Sequence, residues 1–183
     1  HQRYWPKLDF QFIAYSESFL KEAISQSELF ESIANTRIYF GGLGFFQINP
    51  FCLELLVPVV GEWIKGEEVL DLYGGVGTLS LPHAEQIQSC VIVEENPDAI
   101  HFAQMNTKEI PHFQVTPSKV QQALKKIGGQ QTVLLNPPRA GIVHQVRQQL
   151  LKVKPKRLIY LSCNVSTCAR DLKGLQDCYE LKW

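Results

Sequence analysis

Val69-Leu70-Asp71-Leu72-Tyr73-Gly74-Gly75-Val76-Gly77 reads as an apolar strand that runs straight into a glycine-rich turn. Glycines at that point let the backbone approach a ligand with no β-carbon in the way, as in nucleotide-binding α/β sheets. A helical pattern follows over 78–87 and a second strand over 90–94, ending on Glu94. An acid at that strand end can accept hydrogen bonds from a ribose diol. The ordered series of strand, turn, helix, strand and acid is the signal. The glycines alone fit equally well a tight turn that binds nothing.

Working outward, short apolar runs at 69–72, 90–94, 113–115, 133–135 and 157–161 alternate with helical patterns at 53–64, 78–87, 97–107, 118–127, 143–151 and 167–175. Such alternation predicts an α/β fold, a doubly wound and mostly parallel sheet covered on both faces. Pro97 and Ser118 suit helix starts. Residues 1–45 read as an appendage packed on the sheet, with aromatics Tyr4, Trp5, Phe10 and Phe12 and then a helical period over 18–33. Residues 46–183 form the main domain, expected to be truncated at its carboxyl end and to lack its terminal strands.

The chain has 183 residues, 45% of them hydrophobic, and a formal net charge of +0, which suits a soluble globular domain and argues against a strongly basic nucleic-acid binder. Its five cysteines (Cys52, Cys90, Cys163, Cys168, Cys178) lack the paired spacing of a zinc or iron-sulfur site and read as reduced thiols. The five histidines show no metal-ligand spacing and read as surface or satisfied residues. No apolar run has the ~20 residues needed to cross a bilayer, and the start lacks a signal-peptide pattern. The chain reads as cytoplasmic.

The glycine turn also discriminates among cofactors. A dinucleotide fingerprint would carry glycine where Ser80 stands, and Thr78-Leu79-Ser80 supplies no Walker lysine. NAD and ATP give way to S-adenosylmethionine, which has no phosphates and asks only for a close-approach loop and a ribose acceptor.

Two further turns belong to the same strand ends. Asn136-Pro137-Pro138-Arg139 follows the strand at 133–135; Asn136 can donate and accept toward a base edge, and Arg139 can pair with phosphate or stack on a base. Cys163 follows the strand at 157–161, beside a helix whose amino-terminus, near Ser166 and Thr167, can favour a thiolate. A rigid loop and an inert core thiol are the plainer readings of the same residues, and Cys52, Cys90, Cys168 and Cys178 are read as inert core thiols.

In this order and spacing, Gly44-Phe45-Phe46-Gln47-Ile48-Asn49-Pro50, the Leu70 to Gly77 stretch, Val93-Glu94-Glu95-Asn96-Pro97, Asn136-Pro137-Pro138-Arg139-Ala140-Gly141 and Leu161-Ser162-Cys163-Asn164 resemble the RNA 5-methyluridine methyltransferase family. The resemblance covers about residues 39–175. It implies a class I, Rossmann-like methyltransferase fold, S-adenosylmethionine as cofactor and a uridine of tRNA or rRNA as substrate. By family position, Gln47, Tyr73, Gly75, Gly77, Thr78, Glu94 and Asn136 would bind the cofactor. Asn136 and Arg139 would face the base, with Cys163 as nucleophile at carbon 6, and no metal or iron-sulfur site is expected in this chain.

The chain departs from the family at Asn136, where an aspartate is usual, and at Gly74, where a cysteine is common. The glutamate base expected downstream of the cysteine motif, the amino-terminal RNA-binding barrel and the iron-sulfur cluster are not found in this sequence. Two alternatives stay open: an amino-group methyltransferase using the Asn-Pro-Pro-Arg turn, and a cofactor- or RNA-binding module without turnover.

Overall fold

The computed structural model describes residues 28–41, 50–129, 131–176, 178–180 and 182. Five parallel strands, β3 (Glu68–Leu72), β4 (Ser89–Glu94), β5 (Phe113–Pro117), β6 (Thr132–Leu135) and β7 (Arg157–Tyr160), form one sheet in the order β5-β4-β3-β6-β7. The chain builds outward from β3 through β4 to β5, then returns to the other side of β3. This reversal opens a crevice beyond the carboxyl ends of β3 and β6, where ligands bind in open α/β sheets.

β6 is buried at all four positions and β3 at four of five, so both faces of the sheet need cover. On one face Val69, Cys90, Ile92 and Leu134 pack against Leu53, Val57, Val60 and Ile64 of α1 (Pro50–Ile64) and Phe102 of α2 (Pro97–Thr107). On the other, Leu70, Leu72, Val93, Val133 and Leu135 pack with Val146 and Leu150 of α3 (His144–Val153) and with Leu175, just past α4 (Val165–Lys173). The alternation of side chains along each strand divides these two cores.

Three sequence expectations are corrected. Residues 78–87 form no α-helix: the 75–80 stretch is turn, and a 3-10 helix spans Leu81–Gln86. Both Ser80 N–H and Leu81 N–H donate to the Gly77 carbonyl, and Pro82 has no amide to extend the ladder. Residues 118–127 give two 3-10 turns, Val120–Gln122 and Leu124–Lys126. Ser118 caps neither, because its hydroxyl donates to the Lys119 carbonyl.

Within 18–33, the described part is strand, not helix: β1 (Glu28–Ile33) pairs antiparallel with β2 (Thr36–Gly41). Ala34 and Asn35 have φ of 46° and 65°, the signature of the two-residue turn that matches strand twist. The hairpin places Ile33 and Ile38 in the core under α1 and α2. The aromatics at Tyr4, Trp5, Phe10 and Phe12 lie outside the described residues.

Candidate functional site

The glycine turn is knotted from both sides. Gly74 N–H donates to the Val93 carbonyl of β4 at 3.2 Å, and Gly77 N–H to the Gly74 carbonyl at 2.9 Å. Glu94, at the end of β4, accepts from Gly75 N–H at 2.9 Å through Oε2 and from the Glu95 and Asn96 amides, each at 2.8 Å, through Oε1. One carboxylate thus ties the turn to the start of α2. Three of its roughly four lone-pair sites are used, which leaves acceptor capacity on a half-buried group.

Gly75 (φ 56°) and Gly77 (φ 89°) occupy backbone that side chains rarely adopt. At Gly75 a β-carbon would meet nothing within 4 Å, so the space above it is open; at Gly77 it would strike the Leu81 side chain at 2.5 Å. Thr78 is half-buried in the same turn. Tyr73, the residue between β3 and the glycines, also has a positive φ of 60°. Its buried hydroxyl lies beside the Val143 backbone without a well-formed hydrogen bond, and burial pushes the phenol above its ordinary range.

Under the turn lies a carboxylate to which the sequence reading gave no role. Asp71, 1% exposed, accepts from the Ser80 hydroxyl at 2.8 Å through Oδ2, while its Oδ1 has no partner. Burial pushes its carboxyl up to about 7, with the Ser80 hydrogen bond opposing and the Glu94 charge adding. Asn106 of α2 is a second unforeseen residue. Its Oδ1 accepts from Tyr39 N–H at 2.9 Å and its Nδ2 donates to the Tyr39 and Val76 carbonyls, so it joins hairpin, helix and glycine turn.

The other two turns lie side by side. β6 and β7 are neighbours in register, and Leu161 N–H donates to the Leu135 carbonyl at 2.8 Å just past their last paired residues. Asn136, half-buried, follows β6 and donates its amide to the Leu72 carbonyl at 3.4 Å, which sets it next to the end of β3. Pro137 is buried and Arg139 exposed. Cys163 is exposed and stands one residue before Asn164, the cap of α4, whose Oδ1 accepts from Thr167 N–H. The Arg139 carbonyl accepts from the Thr167 hydroxyl at 2.9 Å, which closes the distance between the two turns.

Tyr73, Gly75, Gly77, Thr78, Glu94, Asn136, Arg139 and Cys163 therefore all stand at the carboxyl edge of one parallel sheet. Gln47, with Phe45 and Phe46, lies outside the described residues. Of the remaining cysteines, Cys90 is buried, Cys168 and Cys178 are half-buried, and Cys52 is exposed where a core position was expected. His83 is a second exception: it is buried, with Nε2 unpaired. Among the described residues no group of His, Cys, Asp and Glu could hold a metal, and no helix is long and apolar enough to cross a membrane.

The sequence profile of the methyltransferase small domain matches residues 52–159. A Synechocystis protein described as an uncharacterized RNA methyltransferase is 32% identical over 161 residues, 84% of this chain and 35% of that protein. The tRNA (uracil(54)-C(5))-methyltransferase of Pyrococcus horikoshii is 35% identical over 132 residues, covering 72% of this chain and 32% of the relative. Among solved structures, the Pyrococcus abyssi tRNA (uracil-54, C5)-methyltransferase in complex with S-adenosyl-L-homocysteine superposes with a TM-score of 0.71 at 29% identity, covering 80% of this chain and 37% of its own. The chain spans about a third of the length of the curated relatives it matches.

Proposed function

From the premise that this chain belongs to the methyltransferase small domain family, we propose that it is the catalytic part of an S-adenosylmethionine-dependent RNA methyltransferase acting at carbon 5 of a uridine. The observation that carries this reading is the meeting of three turns at one sheet edge: the glycine turn, the Asn136 to Arg139 turn and the Cys163 turn. The Arg139 carbonyl joins the last two.

The residues fit the cofactor. Open space above Gly75, the unpaired Tyr73 hydroxyl and the spare acceptor capacity of Glu94 suit a ligand with a ribose diol and no phosphates. Tyr73, Gly75, Gly77, Thr78 and Glu94 would hold it, with Asn136 at the reacting end; Gln47 joins them by family position. When bound, S-adenosylmethionine supplies an electrophilic methyl group.

Carbon 5 of uracil is a poor nucleophile until carbon 6 is attacked. The Cys163 thiolate forms a sulfur–carbon 6 bond, and the carbon 5–carbon 6 electron pair moves onto carbon 5 and the carbonyl at carbon 4. After methylation, loss of the carbon 5 proton to a base and cleavage of the sulfur–carbon 6 bond restore the ring and the thiolate. The exposure of Cys163 gives a pyrimidine access, and a stacked uridine must be turned out of its RNA to reach it. Arg139, exposed beside it, offers a guanidinium for phosphate or base stacking. Transfer RNA is the first substrate to test, because the named Pyrococcus relatives act there.

The test is a transfer RNA carrying 5-fluorouridine, whose fluorine cannot leave as a proton does. With S-adenosylmethionine present, the full chain should form a denaturation-resistant adduct that maps to Cys163 and disappears in the Cys163→Ala protein. Methylation that persists in Cys163→Ala would instead favour transfer to an exocyclic amine, which needs no thiol. Cofactor binding with neither product nor adduct would mark a binding module.

A further inference from the structure

The carboxylate of Asp171 is 1% exposed on α4, and every oxygen valence directed at the protein is used. Oδ2 accepts from the Ile142 amide at 2.9 Å and from the Tyr160 hydroxyl at 2.8 Å; Oδ1 accepts from Arg170 Nε at 3.0 Å and Nη2 at 2.7 Å. Arg170 Nη2 continues to the Ala140 carbonyl at 2.8 Å, and the Thr167 hydroxyl reaches the Arg139 carbonyl. Tyr160 is the last residue of β7, three positions before Cys163. Arg139, Ala140 and Ile142 carry the backbone of the turn after β6.

Side chains of α4 therefore grip the Asn136 to Ile142 segment at three backbone groups, and the same carboxylate fixes the strand that leads into Cys163. Gly141, between two of these groups, has φ 83° and no room for a β-carbon against Asp171 and Arg170. Burial alone would raise the Asp171 carboxyl; the hydrogen bonds from Arg170, Ile142 and Tyr160 outweigh it and hold the group below its ordinary value. A buried charge is an expensive way to fill space, since an apolar residue of similar volume often folds as well. What a carboxylate adds is direction: four donors from three separate segments must meet it in one arrangement.

We infer that Asp171, with Thr167 as its companion, is a positioning residue that fixes the turn bearing Asn136 and Arg139 against the turn bearing Cys163, and so sets the alignment of thiol and base. This rests on the uridine reading above. The network makes no hydrogen bond to Gly75, Gly77 or Glu94 and reaches the cofactor side only through the Asn136 turn and the Asp171 charge near Tyr73, so its loss should slow the covalent step more than it weakens cofactor binding.

The experiment uses the full chain and measures three quantities: the rate of Cys163 adduct formation at saturating 5-fluorouridine tRNA, the affinity for S-adenosylhomocysteine, and amide exchange at Ile142 and Asn164. In Asp171→Asn and Thr167→Val the adduct rate should fall at least tenfold, with a clearly smaller loss of cofactor affinity and faster exchange at Ile142 in Asp171→Asn. Thr167→Ser, which keeps the hydroxyl, should return the rate to near wild type. Wild-type adduct rates in both impaired variants would overturn the inference, as would equal losses of rate and cofactor affinity. Should Asp171→Asn fail to fold, the Thr167→Val and Thr167→Ser pair decides alone. If wild type forms no adduct, the uridine reading falls. The positioning claim is then judged by exchange, and unchanged protection of both turns in folded Asp171→Asn sinks it.

Discussion

The Ser80 hydroxyl donates to Asp71 Oδ2 at 2.8 Å and thereby pins the far end of the glycine turn to the strand from which the turn departs. The pairing is incomplete, because Asp71 Oδ1 is buried without a donor. An acid so placed is easier to keep neutral than charged.

Its folded value of about 7 lies above the unfolded one, so the folded protein holds this proton more tightly. The stability from Asp71 is fully present below about pH 4 and is lost as pH rises through 7. Asp71→Asn, which can still accept from Ser80, should remove that loss. Denaturant unfolding at pH 5 and pH 8 checks it: the variant should gain on wild type by about 1–3 kcal/mol at the higher pH. Equal gains at both pH values would disprove the assignment.

His83 acts in the opposite sense. Burial among α1 and the 3-10 helix lowers its value, against a backbone hydrogen bond to Val57 that favours the charge. Because the unfolded ring takes up a proton first, stability should fall as pH drops below about 6.5. Replacing His83 with Gln should flatten the melting temperature between pH 5 and 7, read by calorimetry.

Gly141 cannot accept a side chain. Alanine would adopt φ 83° at a cost of roughly 1–2 kcal/mol and would also drive its methyl onto Asp171 Oδ2 and to within 2.6 Å of Arg170. A destabilisation of about 2–4 kcal/mol is expected, measurable as a lower denaturant midpoint with unchanged slope. Gly75→Ala, where a β-carbon meets nothing, should cost only the backbone term.

Asn106 makes three hydrogen bonds to backbone, two to Tyr39 and one to Val76. Asn106→Ala leaves a Tyr39 amide and two carbonyls without partners, and should destabilise by about 1–3 kcal/mol. Hydrogen exchange should quicken in β2 first. Unaltered protection of Tyr39 would show that the clamp is dispensable.

The sheet was legible because four of its strands are short apolar runs of the right length, and α2 because Pro97 follows an Asn96 that accepts from the Asp98 and Ala99 amides. The hairpin carried a readable signal in Ala34-Asn35, but the apolar spacing over 18–33 imitates a helix when the turn is overlooked. Residues 78–87 and 118–127 have helical spacing over stretches too short and too interrupted for an α-helix to nucleate.

At the site, chemistry-bearing residues could be read because each stands where a strand ends. The supports could not. Asp171 meets Ile142 across 29 positions and Asn106 meets Tyr39 across 67, and no local pattern encodes such pairs. Tyr73 was expected by family position alone, and its left-handed backbone, at φ 60°, carries no local sequence signal.

Because one carboxamide serves both Tyr39 and Val76, the hairpin and the glycine turn share a single fastening. A change at position 106 would therefore be felt on both sides of α2 at once.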